Sequence, residues 1–241
     1  MKRTSLVALI GLSLAAIPAS AATHTHTSGH VDFIGIGYVA GALEPHSHAH
    51  VGAVVDGSPL GVDTEFEVGD LTVQTDLTTT RLADSAWDPV GVGSGQSFWT
   101  LTETETAGQP FVGIGAEELI PAEWNGAITI TLTAASGSGI LAGGKFSLWQ
   151  GSLTPNFFMS TNDGISGADV FSMDLSGGGH EHFGWGFTEK GIYDLTFQIA
   201  GTHVGDGPKT ATATYSFSVI PEPSSALLGA FGALALLRRR R

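Results

Sequence analysis

The chain has 241 residues, no cysteine and a formal net charge of −13, from 23 acidic side chains against 10 basic ones. That balance excludes nucleic acid as a partner and turns the protein toward cations. The absent thiols exclude a disulfide scaffold and any thiolate metal site, which leaves imidazole and carboxylate as the available ligands.

In chain order, Lys2 and Arg3 precede an apolar run over residues 6–17 and then Pro18-Ala-Ser-Ala21. A basic start, a short apolar stretch and an Ala-x-Ala site predict a secretory signal peptide over residues 1–21, too short to be retained as a membrane span. His24 and His26 follow in a Thr/His stretch expected to behave as a mobile terminus. His30 comes next, in Gly29-His-Val-Asp32.

Residues 44–50, Glu-Pro-His-Ser-His-Ala-His, carry imidazoles at His46, His48 and His50. In an extended strand, residues two apart share a face, so the three rings project from one side. Such a face is a poor core and a good metal site, because neutral imidazole is a preferred ligand of zinc and copper. His180 and His182 repeat the spacing far along the chain. Two such pairs from sequence-distant strands, His46/His48 and His180/His182, would supply four donors, with His30 an alternative fourth. Asp32, Glu44 and Glu181 offer carboxylates as ligands or as acceptors for ring N–H groups. His203 has no sequence neighbour of its kind and is expected to be exposed.

Strands are predicted at residues 31–39, 48–55, 64–68, 71–77, 97–102, 127–134, 145–150, 170–175, 192–200 and 210–219, from short β-branched and aromatic runs between Gly, Asp and Asn. Alternation is clearest in Ile128-Thr-Ile-Thr-Leu132 and in Tyr193-Asp-Leu-Thr-Phe-Gln-Ile199. Residues 116–120 hint at a turn of helix at most. The pattern predicts an all-β, antiparallel β-sandwich of jelly-roll or Ig-like type. Residues 134–139, Ala-Ala-Ser-Gly-Ser-Gly, read as a linker or a loop. One domain over residues 22–219 is expected, because the histidine groups lie in both halves. The alternating Trp185, Phe187, Tyr193 and Phe197 read as packing residues. Gly35-Ile-Gly37 and Gly113-Ile-Gly115 lack the spacing of a phosphate loop.

The last segment, residues 220–241, runs Ile-Pro-Glu-Pro, then an apolar stretch over 224–237, then Arg238–Arg241. These three parts in this order resemble the PEP-CTERM sorting signal. The resemblance implies a Gram-negative bacterium, a hydrophobic C-terminal helix held in the inner membrane before processing, and an exosortase-type enzyme as partner. The product would then reside at the cell surface or in the extracellular matrix. With both ends set aside, residues 22–219 keep 22 acids and four bases (Arg81, Lys145, Lys190, Lys209), a balance of 4 − 22 = −18.

The stretch 179–197, Gly-His-Glu-His-Phe-Gly-Trp-Gly-Phe-Thr-Glu-Lys-Gly-Ile-Tyr-Asp-Leu-Thr-Phe, resembles the bacterial choice-of-anchor M surface domain. Gly29-His-Val-Asp32, the His46–His50 run, Phe111–Glu118 and Gly144–Gln150 extend the likeness over residues 29–219. It implies a surface protein linked to metal uptake, and carries His30, His46, His48, His180 and His182 over as matched positions. Pro45, Ser47 and the third histidine, His50, depart from the usual pattern.

The expectation is an exported, non-enzymatic protein that binds a divalent transition metal, zinc in first place, for storage or hand-over to an uptake transporter. Its metal ligands are drawn from His30, His46, His48, His50, His180 and His182. Copper competes for the same donors by the Irving–Williams order. No GxSxG element, thiol nucleophile or glycosidase-like carboxylate pair is present, so no catalytic residue is assigned. The alternatives are a matrix or exopolysaccharide-associated protein without metal, and a histidine-ligated metalloenzyme.

Overall fold

The computed structural model describes residues 24–221. The signal peptide predicted over 1–21, and the sorting tail from residue 222 onward, lie outside the described residues.

The body is all-β, with two sheets packed in a sandwich-like arrangement. β1 (His24–Val39) turns through Ala40-Gly41 into β2 (Ala42–Ala49). The short β3 (Val54–Val55) and β4 (Ser58–Pro59) follow, then β5 (Thr64–Glu67), β6 (Leu71–Thr75) and β7 (Thr78–Thr80). After a 3-10 turn at Ser85–Val90 come β8 (Ser97–Leu101), β9 (Pro110–Gly115) and β10 (Ile128–Ser136). A single helical turn, α1 (Ser138–Leu141), leads to β11 (Phe146–Gln150), β12 (Asn156–Ser160) and β13 (Val170–Met173). The chain ends in β14 (His180–His182), β15 (Gly184–Phe187) and the long hairpin β16 (Gly191–His203) and β17 (Gly207–Val219).

The alternation that predicts strands also builds the core. In the β16–β17 hairpin Tyr193 pairs with Phe217 and Leu195 with Tyr215, all four buried, while the intervening Thr and Ser positions face outward. The smaller sheet, in the order β12-β11-β15-β8-β7, lays Phe187 and Trp185 on that hairpin. Their ring centroids are each 5.2 Å from Phe217, and Phe187 lies 4.9 Å from Tyr193. The aromatics read as packing residues thus form the contact between the sheets. Residues 134–139 are neither a linker nor a plain loop. β10 runs through Ser136, and Gly139 lies so close under the Tyr193 ring that a β-carbon there would be 2.3 Å from it.

Most pairings are antiparallel, as alternation predicts, but β1 runs parallel to both β6 and β9, and β17 runs parallel to β6. The β1–β6 pair arises because β1 is longer than its apolar pattern indicates. Its first turn of sequence, His24-Thr-His26, is not a mobile terminus but pairs with Leu71–Val73, and Asp56 bonds both the His24 ring (2.7 Å) and the Thr25 N–H (2.9 Å). His26 is fully buried. The strand predicted at 48–55 is shifted: β2 ends at Ala49, and the chain turns at Val51-Gly52.

Candidate metal centre

Four neighbouring strands bring the histidines to one face. β1 lies between β2 and β9, and β14 pairs with the far edge of β9. Asp32 on β1 is the partner of His48 on one side and of Gly113 on the other, and Gly113 in turn faces His182. Gly35, one step along, faces His46 and Gly115, and Gly115 faces His180.

An extra residue in β1 keeps this alignment. The register slips between Asp32 and Gly35 against both neighbours, so Phe33 and Ile34 are both buried while Asp32 and Gly35 stay on the histidine side. Such a bulge re-aims side chains without ending the strand.

The rings must reach across β9, and its glycines permit it. A β-carbon at Gly113 would sit 2.5 Å from Asp32 Oδ1 and 3.2 Å from His180 Nε2; one at Gly115 would sit 2.8 Å from Glu117 Oε2. Glycine inside a strand marks a close approach of neighbouring groups. The Gly-x-Gly that fails as a phosphate loop is therefore the floor of the histidine face.

On that floor His30, His180 and His182 each present one ring nitrogen within 4.8 Å of the others. His180 Nε2 is 2.9 Å from His182 Nε2 and 3.2 Å from Asp32 Oδ1, and His30 Nε2 is 3.4 Å from the same oxygen. Nitrogen and oxygen donors bind zinc at about 2.0–2.2 Å, which puts neighbours in a tetrahedron roughly 3.4 Å apart. Both His30 Nε2 and Asp32 Oδ1 are buried and make no well-formed hydrogen bond. Buried polar atoms left in that state are costly unless another partner serves them.

The surroundings set the ring orientations. Glu117 accepts from His180 Nδ1, which leaves Nε2 with its lone pair toward the centre. Phe111 stacks on His182 at 3.6 Å. Burial would push the Asp32 carboxyl up, but the His30 and His50 imidazoles against its oxygens, with His180 nearby, outweigh it and bring it down to about 2. Asp32 is thus an anion at neutral pH, ringed by imidazoles. Burial pulls His182 down to about 4, so that ring is neutral and able to donate.

No protein-family model, curated protein or solved structure matches this chain.

The structure gathers five of the six expected ligands into groups able to hold an ion. His30 joins His180 and His182, in the place the sequence reading gave first to the His46/His48 pair. His50 lies with His30 and Asp32, and again with His48 and Asp63. His46 lies outside these groups: its Nδ1 donates to the Glu44 carbonyl at 3.2 Å and its Nε2 faces Glu118 at 3.2 Å. A cavity of about 270 Å³ between His46, His48, His50, Glu117 and Glu118 opens beside Asp32.

Of the remaining histidines, His26 donates from Nε2 to the Gly29 carbonyl at 3.1 Å. His203 is not exposed as expected: it stacks on Tyr38 at 4.7 Å and accepts the Gly205 and Asp206 N–H groups. Glu117 and Asp63 were not foreseen as site residues. Glu117 stands two residues past the glycine strand, within the matched Phe111–Glu118 element, a signal that could have found it; Asp63 sits in a loop and carries none.

Proposed function

We propose that this protein binds a divalent transition ion, zinc in first place, through His30, His180 and His182 with Asp32 alongside, and that it does so outside the cytoplasm without turnover. The observation that carries the reading is the meeting of three imidazole nitrogens from strands 150 residues apart in sequence around an ionised carboxylate whose buried Oδ1 makes no well-formed hydrogen bond. Three nitrogens and an oxygen suit tetrahedral zinc. Export draws on the signal-peptide pattern at residues 1–21, and surface anchoring on the PEP-CTERM-like end at 220–241. The likeness to choice-of-anchor M domains is consistent with handing metal to an uptake transporter.

The test is metal analysis of the purified body at neutral pH, beside a variant carrying His180→Ala and His182→Ala. The wild type should retain zinc through gel filtration and the variant should retain less. Equal metal content in both would refute the imidazole centre and leave an acidic matrix protein. A second reading, a histidine-ligated metalloenzyme, draws on the cavity beside Asp32 with its two glutamates; ester or phosphoester hydrolysis by the zinc-loaded body would establish it.

A further inference from the structure

We infer that the histidine face carries a second divalent-cation site, outboard of the first, built by His48, His50 and Asp63. The inference extends the imidazole centre proposed above. One donor atom from each of the three lies within 4.8 Å of the others.

Each member is held by a contact that leaves a ligand atom spare. Asp63 accepts the Val51 N–H into Oδ1 at 2.7 Å, which fixes the carboxylate and leaves Oδ2. His50 approaches Asp32 Oδ2 through Nε2 at 3.0 Å, which orients the ring and leaves Nδ1. A ring that donates to a carboxylate from one nitrogen and ligates with the other is the arrangement that supports most histidine metal ligands. The His48 ring has no hydrogen-bond partner among the described residues and lies parallel to His50, centroids 4.8 Å apart and planes 13° apart. Across the β2–β5 pairing, Glu65 is the register partner of His48 and adds negative charge on that face.

The outer site is joined to the inner one by shared residues. His50 belongs to the outer trio and to the trio with His30 and Asp32, while His30 belongs also to the trio with His180 and His182. The His50 and His30 rings stack at 4.1 Å with planes 4° apart. The exposed Asp63 stands at one end of this series, and the buried Asp32 nearer the other. An ion arriving from solvent therefore meets a donor set at the rim before the inner centre. Two imidazoles and a carboxylate suit borderline ions such as zinc, cobalt or nickel.

The experiment is zinc titration of the body at neutral pH, followed by calorimetry and by native mass spectrometry. It uses the wild type, a His48→Ala/Asp63→Asn variant, Asp63→Asn alone, and the His180→Ala/His182→Ala variant. Two ions per chain are expected for the wild type and one for each double variant. Asp63→Asn alone, which keeps the oxygen that Val51 bonds, should weaken the second binding step and spare the first. A wild type that saturates at one ion, lost with His180→Ala/His182→Ala and kept in His48→Ala/Asp63→Asn, overturns the outer site and leaves the inner centre standing. One ion with the opposite pattern of loss would remove the inner centre and keep the outer site. No binding at all would refute both.

Discussion

An alanine at position 113 would place its β-carbon 2.5 Å from Asp32 Oδ1, closer than side chains approach, so either the carboxylate or strand β9 must move. Gly113→Ala is therefore expected to cost about 1–3 kcal/mol in stability, the range for overpacking, and to weaken zinc binding at least tenfold. Denaturant unfolding and calorimetry measure the two effects. The paired glycines show where residue-level reading stops. The proposed ligands His30, His180 and His182 announce themselves by type and spacing, whereas the groups that let them meet have no side chain to notice. His46 shows the converse: it has the right type and spacing, yet its two nitrogens are engaged by Glu44 and Glu118. Spacing gives the face of a strand, and only the neighbours on that face decide which atoms remain free.

At the scale of elements, alternation located most of the strands but not their partners. β1 has the composition of two short pieces, and its bulge between Asp32 and Gly35 is invisible to a period-two pattern. Its parallel pairing with β9 was also out of reach, because more than seventy residues separate the strands and parallel register depends on distant packing. The β1–β2 turn is legible in hindsight. Val39 pairs with Ala42 across two residues, Ala40 at φ 50° and Gly41 at φ 83°. A two-residue loop with both φ values positive favours Asn-Gly, and alanine pays a left-handed penalty there. Ala40→Asn should raise stability by about 1 kcal/mol without altering metal binding, as thermal melting with and without zinc would report.

For the whole molecule, pH acts through buried rings, one of which, His182, also belongs to the proposed metal centre. His26, fully buried, is drawn down to about 4 mainly by the loss of water, against an ordinary value of 6.5. The unfolded chain therefore takes up a proton first, and folding is favoured fully only above about pH 6.5. Metal-free protein should lose on the order of 3 kcal/mol from this group as pH falls from about 6.5 to about 4, with His182 acting in the same direction. Urea midpoints across that range measure it; a flat profile would mean His26 is hydrated. At neutral pH, zinc at a hundred times its Kd should add about 2.7 kcal/mol and raise Tm by roughly 5–10 °C, an effect that a chelator reverses. Near pH 5 proton competition should shrink that rise.

β14 is a three-residue strand whose only sheet partner among the described residues is β9, and it follows a run of three glycines, Gly177–Gly179. An ion held between His30 and His182 would rivet that loosely tethered stretch to the opposite end of the chain, closing a loop of some 150 residues in a protein with no disulfide. The body's resistance to mechanical pulling and to proteases at the glycine run would then follow the free zinc in its surroundings, stiff where the metal is plentiful and easily nicked where it is scavenged.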